Sequence, residues 1–167
     1  MYYNLIKVVG SGTKWRGNPK EVWKLFIGEY EHSVDAKGRL IMPAKLRDEI
    51  GETFVITKGL DGCLFAYSKT EWAAFEQKLS TLPLSSKNAR DFTRFFLSGA
   101  IECEIDKQGR FLITSNLRSF AEIEKDVVII GVNTRIEIWS KAKWQEYSQN
   151  DAINVDEIAE NMTMLGI

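Results

Sequence analysis

Histidine, cysteine and long apolar runs are what this 167-residue chain has least of. One histidine, His32, and two cysteines, Cys63 and Cys103, set 40 positions apart, are too few ligands for a structural zinc site. They give neither a disulfide framework nor a histidine-based catalytic cluster. The apolar runs, such as 127–130, are only a few residues long, and the first residues have neither a basic leader nor a cleavage pattern. The expectation is a cytoplasmic protein with no membrane contact. Excess positive charge is missing as well: 22 Lys plus Arg stand against 23 Asp plus Glu, a net charge of -1. That excludes a polycation that coats nucleic acid indiscriminately, so any such binding must be local. With 44% apolar residues, the chain is a folded protein with one sizeable core or two small ones.

The charge is unevenly spread. Residues 1–24 carry Lys7, Lys14, Arg16, Lys20 and Lys24 against Glu21, whereas the remainder holds 17 positive and 22 negative side chains. Gly10, Gly12, Gly17 and Pro19 fall in this opening stretch without any sustained period, so it reads as a flexible N-terminal extension. It is either a basic arm that touches phosphates or a solvated tail, the latter including the product of an upstream start codon.

The rest is organised by a repeat. Setting DAKGRLIMPAKLR (35–47) over DKQGRFLITSNLR (106–118) matches Asp35 with Asp106, Gly38 with Gly109, Arg39 with Arg110, Leu46 with Leu117 and Arg47 with Arg118. Further on, Tyr67, Ser68, Lys69 and Trp72 answer to Trp139, Ser140, Lys141 and Trp144. This is a duplicated unit of about 50 residues. The expected boundaries are an extension over 1–24, repeat 1 over 29–76, a linker over 77–99, repeat 2 over 102–148 and a tail over 149–167.

Each copy reads as a hairpin: a strand at 29–34 or 102–105, a tight turn holding Gly38 or Gly109, and a second strand at 39–42 or 110–113. In the first copy Pro43, Leu46, Ile50 and Gly51 then mark a short helix. Two strands follow in each repeat, at 54–57 and 64–67 and at 127–130 and 136–139, the latter two around a turn at 131–134. Ser68 with Glu71 forms a capping box ahead of Trp72, Phe75 and Leu79, and Ser140 with Lys143 a weaker version of it. The linker has an amphipathic helix over 86–97, and Asp156 starts a last helix with Ile158, Met162 and Leu165 on one side. A unit of about 50 residues is marginal alone, so the copies are expected to interleave their strands. The fold class is mainly β with flanking helices, a pseudo-twofold β-barrel built from two internal repeats, with leftover edges favouring a homo-oligomer.

The shared residues concentrate on the turn, where Asp and Arg stand four apart around a Gly. The Gly supplies a backbone conformation closed to other residues, and the Asp can cap the turn while pairing with the Arg. A guanidinium so braced is a planar fork for two acceptors of guanine or for a phosphate, and a two-stranded ribbon fits the major groove. Lys37 and Lys107 add point charges beside the tips. The plainer reading is a turn whose Asp-Arg pair only holds the hairpin, and the spacing leaves both open.

The run FIGEYEHSVDAKGRLIMPAKLR (26–47), then RFFLSGAIECEIDKQGR (94–110), then the second Leu-Arg at 117–118, resembles the MraZ family of bacterial transcriptional regulators. The resemblance covers residue 25 to the C-terminus. It implies two SpoVT-AbrB-type units per chain in a swapped-hairpin barrel, assembly into a ring, and sequence-specific binding of double-stranded DNA at repeated promoter elements upstream of a division and cell-wall gene cluster. It implies a cytoplasmic, nucleoid-associated protein that is not an enzyme and takes no cofactor, metal or small-molecule substrate. The family's DNA-contacting Asp-Xaa-Xaa-Xaa-Arg motif falls on Asp35 to Arg39 and Asp106 to Arg110. The implied contact set is Asp35, Lys37, Gly38, Arg39, Asp106, Lys107, Gly109 and Arg110. In the second repeat Thr114, Ser115 and Asn116 stand where a proline is usual, so nothing in that copy fixes the start of the short helix.

Two other readings carry less. Glu29, Asp35 and Glu104 would have to meet in a cleft to make an enzyme, and their spacing gives no acid-base pair. A ring-forming scaffold that recruits a protein through the acidic stretch 151–160, without DNA, separates from the regulator by salt titration, because phosphate neutralisation makes affinity fall with ionic strength.

Overall fold

The computed structural model describes residues 25–150 and 153–162; the basic stretch 1–24, Asp151 and Leu165 lie outside them. The first repeat runs β1 (Phe26–Ser33), β2 (Arg39–Ile41), α1 (Ala44–Ile50), β3 (Thr53–Lys58), β4 (Leu64–Ser68) and α2 (Lys69–Ser80). The helix α3 (Lys87–Gly99) joins it to the second: β5 (Ile101–Glu104), β6 (Arg110–Leu112), α4 (Ser115–Phe120), β7 (Asp126–Asn133), β8 (Arg135–Ser140) and α5 (Lys141–Ser148), followed by α6 (Val155–Met162).

Local chemistry accounts for these elements. The hydroxyl of Ser68 accepts the Glu71 N–H at 3.2 Å, and that of Ser140 accepts the Lys143 N–H at 3.3 Å, so the second cap forms without its reciprocal Glu. α1 starts after Pro43, and α4 starts equally well after Thr114, whose extended backbone (φ -62°, ψ 156°) leads into the helix. Alternation along β4 sends Leu64 and Ala66 to one face and Phe65 and Tyr67 to the other, and all four are buried. A strand covered on both faces needs no polar side.

Six strands form an antiparallel sheet in the order β1-β7-β8-β4-β3-β5, and β2 pairs with β6 in a separate two-stranded ribbon. The pseudo-twofold axis passes between β8 and β4, and each outer strand belongs to the opposite repeat: β1 lies on β7 and β5 on β3. The expected hairpins are therefore corrected. β1 does not ladder with β2, nor β5 with β6; only the turns between them close locally. The reason is the core. Pairing β2 with β6 sets Leu40 directly opposite Phe111, both essentially inaccessible, over a cluster with Phe54, Ile56, Leu64, Ile129, Ile136 and Ile138 drawn from both repeats. Phe54 meets Phe111 edge-on with ring centroids 5.1 Å apart. Each such side chain contributes about 1.5–3 kcal/mol on burial, and a hairpin closed within one repeat would leave that surface in water. The ladder of six strands is open, with β1 and β5 at its edges.

On the other side of the sheet, α2, α3 and α5 pack through Trp72, Phe75, Leu79, Phe96 and Trp144 against Phe65, Tyr67 and Trp139. The tryptophans belong to this second core. Cys63 lies in it and Cys103 in the first, both buried and unpaired.

Candidate nucleic-acid interface

The two turns are built alike. In the first, the Asp35 N–H donates to the Arg39 carbonyl at 2.8 Å, and the Gly38 N–H returns to the Asp35 carbonyl at 2.9 Å. Asp35 Oδ1 accepts the backbone N–H groups of Lys37 and Arg39, each at 2.9 Å. Its Oδ2 accepts Nε and Nη2 of Arg39 at 2.8 and 2.7 Å. Asp106 repeats every bond: Gln108 and Arg110 N–H on Oδ1 at 2.9 Å, Arg110 Nε and Nη2 on Oδ2 at 2.9 and 2.8 Å. Gly38 and Gly109 both have φ +80°, a left-handed conformation that costs a residue with a β-carbon about 1–2 kcal/mol.

The carboxylates are held in their charged form. The Arg39 backbone N–H first, and then its guanidinium, keep Asp35 well below the usual carboxylate range, at about 2. The backbone and side chain of Arg110 lower Asp106 in the same way. Each arginine spends Nε and one Nη2 proton on its aspartate. Among the described residues the end-on edge formed by Nη1 and the rest of Nη2 has no partner, and the side chains of Arg39 and Arg110 remain 30% and 28% exposed. Such an edge can meet two acceptors at once.

Each turn is also fastened to the other repeat. The Gly109 carbonyl accepts the Met42 N–H at 2.9 Å, and the Gly38 carbonyl accepts the Ile113 N–H at 2.9 Å. Over Gly109 lies the guanidinium of Arg47, in the space a β-carbon would need, and Arg118 lies likewise over Gly38 with Cζ 3.1 Å from that space. Arg47 Nη2 donates to the Met42 carbonyl at 3.0 Å. Nε of both Arg47 and Arg118 is buried without a hydrogen-bond partner among the described residues. Neither of these two arginines was assigned to the site from the sequence. The signal was there, since both matched in the repeat, but nothing in one copy says that its Leu-Arg pair covers the turn of the other.

The expected residues fall as follows. Asp35, Gly38 and Arg39 come together in one turn, and Asp106, Gly109 and Arg110 in the other; β2 and β6 join the two turns in one ribbon. Lys37 and Lys107 are exposed beside the tips, at non-equivalent positions, because Lys37 aligns with Gln108 and Lys107 with Ala36. The carboxylates weighed for an enzyme are not brought together: Glu29 is on β1 and Glu104 on β5, the two opposite edges of the sheet, and Asp35 is engaged by its own turn. His32 is half-buried on β1 opposite Val127. Among the described residues no three His, Cys, Asp or Glu side chains are placed to hold a metal ion, and no helix is long and apolar enough to cross a membrane.

The model of the MraZ protein family, described as antitoxin-like, matches this chain twice, over residues 25–95 and 96–165. A protein called transcriptional regulator MraZ from Thermoanaerobacter sp. (strain X514) is 63% identical over 143 residues, which span 86% of this chain and all of the relative. Proteins of the same name from Thermoanaerobacter pseudethanolicus and Acetivibrio thermocellus are 62% and 58% identical over the same shares. With two matched units, and relatives covered along their whole length, the chain belongs to the MraZ family.

Proposed function

We propose that this chain is a sequence-specific DNA-binding transcriptional regulator that grips the major groove with the β2–β6 ribbon, Arg39 and Arg110 reading guanine edges. The observation that carries the reading is the duplicated turn: two arginines, each braced by the same pair of bonds to its aspartate and each with an end-on pair of N–H donors that has no partner among the described residues. The name shared by the relatives supports it. Asp35 and Asp106 position the arginines, Gly38 and Gly109 let the turns form, and Lys37 and Lys107 attract phosphates.

In this reading 29–76 and 102–148 are the two SpoVT-AbrB-like units, 77–99 is their linker and 149–167 a tail. Sheet and ribbon close over one core as a swapped-hairpin barrel, and copies assemble into a ring that sets many ribbons along one DNA. Linked sites then raise avidity without tight single contacts, which reconciles binding with a net charge of -1. The targets are repeated elements upstream of a division and cell-wall gene cluster, met in the nucleoid, and no cofactor or small-molecule substrate takes part.

The test is a gel shift with DNA from upstream of the chain's own gene. Arg39→Ala and Arg110→Ala should each abolish specific binding while native mass and circular dichroism stay unchanged, and wild-type affinity should fall steeply with salt. Operator affinity retained by the double variant overturns the reading. Salt-insensitive behaviour with an intact assembly favours instead a protein-binding scaffold, for which exposed Val155 and Ile158 on the acidic α6 offer a contact.

A further inference from the structure

The outer face of the ribbon is four side chains wide. Because Leu40 and Phe111 point into the core, alternation turns Arg39, Ile41, Arg110 and Leu112 outward. The register sets Arg39 opposite Leu112 and Arg110 opposite Ile41. Each arginine therefore has across from it an aliphatic side chain of the other repeat. Ile41 is 42% and Leu112 52% exposed. A single exposed aliphatic residue is ordinary and needs no explanation. Here two occupy equivalent positions of the duplicated unit, and both lie beside arginines whose end-on edges have no partner among the described residues.

Scale and chemistry point to one occupant. Along a strand Arg39 and Ile41 are two residues apart, about 6.7 Å, close to two steps of about 3.4 Å in stacked base pairs. The apolar feature of the major-groove floor is the C5-methyl of thymine, which cytosine lacks. A protein partner would meet the two guanidiniums with carboxylates, but each already has its own aspartate beside it. A nucleobase floor offers neutral acceptors to the arginines and methyl groups to the aliphatic pair at the same depth.

We infer that Ile41 and Leu112 determine specificity in the DNA site, each packing on a thymine methyl next to the base pair that the opposite repeat's arginine holds. This rests on the DNA-binding reading above and adds to it a class of base. The ribbon then discriminates by two unlike means, hydrogen-bond acceptors under the arginines and methyl groups under the aliphatic side chains.

The experiment selects a duplex bound by the full chain from a random-sequence pool, then remakes it with deoxyuridine for thymidine, which removes methyl groups and leaves base pairing and phosphates alone. Wild-type affinity should drop about fourfold for each contacted methyl lost, the worth of one buried carbon group. The Ile41→Ala, Leu112→Ala double variant should bind both duplexes alike, near the wild-type level on deoxyuridine DNA, and Ile41→Val with Leu112 intact should keep most of the preference. Equal wild-type affinity for both duplexes overturns the inference and leaves DNA binding standing. A preference that persists in the double variant overturns it too, because the methyl effect then acts elsewhere, as does a change of native mass in that variant, which would place the pair in a contact between copies. Failure of the wild type to select any duplex removes the DNA-binding reading itself.

Discussion

Replacing Gly109 and Gly38 by alanine, one at a time, separates the two contributions that hold the turns. Both glycines sit at φ +80°, so each substitution carries about 1–2 kcal/mol of left-handed strain. The added methyl at Gly38 meets Arg118 Cζ at 3.1 Å, and the side chain yields by a few tenths of an ångström. At Gly109 the same methyl falls within the guanidinium of Arg47, which has to leave. Leaving breaks the bond from Nη2 to the Met42 carbonyl, of the charged class worth about 1.5–3 kcal/mol. Part returns because the unpartnered, buried Nε of Arg47 regains water. The expected destabilisation is about 3 kcal/mol for Gly109→Ala against about 1–2 kcal/mol for Gly38→Ala. Urea unfolding at one fixed protein concentration measures it, so that any contribution from self-association is the same for both variants. In an Arg47→Ala background the excess should vanish, because nothing remains for the methyl to displace. Equal midpoints for the two glycine variants, or an excess that survives without Arg47, would refute the idea that the repeats clamp one another's turns.

Thr57 is fully buried on β3, and its hydroxyl donates to the Phe96 carbonyl at 2.6 Å, tying the sheet to α3. Thr57→Val should cost about 1–3 kcal/mol by leaving that carbonyl unsatisfied, read as a lower unfolding midpoint. The Asp35 carboxyl should titrate near 2 in a carbon-detected NMR experiment. Because its folded value is depressed from 3.8, the stability it adds is complete above that pH and disappears as pH falls toward 2. Arg39→Ala should bring the value only part of the way back, because the backbone N–H of residue 39 is the larger cause; full return to 3.8 would contradict that order. Burial pushes the Cys63 thiol up and the Cys103 thiol to about 11, so neither should react with iodoacetamide at neutral pH until the chain is unfolded, as mass spectrometry would show.

Much of this architecture was legible in the residues, and the parts that were not share a cause. The strands and helices followed from period, caps and the internal match, and the four-residue spacing of Asp35 and Arg39 gave the turn that hydrogen bonds now close. The strand pairing departs from local hairpins because a closed turn says nothing about which strand lies beside which. Leu40 is equally apolar whether it faces its own repeat or, as found, Phe111 of the other. The turn expected at 131–134 is tighter and later. β7 continues to Asn133, whose φ of 57° makes a two-residue connection with Thr134 between Val132 and Arg135. Gly131 serves a different purpose: the backbone of Phe26 and Ile27 fills the space its β-carbon would take, so it admits β1 to the sheet. A glycine kept for close approach looks, in sequence, like a glycine kept for a bend. The repeat marks Arg47 and Arg118, but not what they cover, since their partners lie across the molecule.

The exchange of outer strands has a consequence for how the protein is made. β1 is synthesised ahead of its partner β7, and Ser33 meets Asp126 only after the 93 positions that separate them have been made. Until then the nascent first repeat holds β1 and β2 without their partner strands, the kind of surface that chaperones screen and that folds slowly because its contacts are distant in sequence. A chain arrested between the two units should therefore be a substrate for proteolysis rather than a half-sized protein.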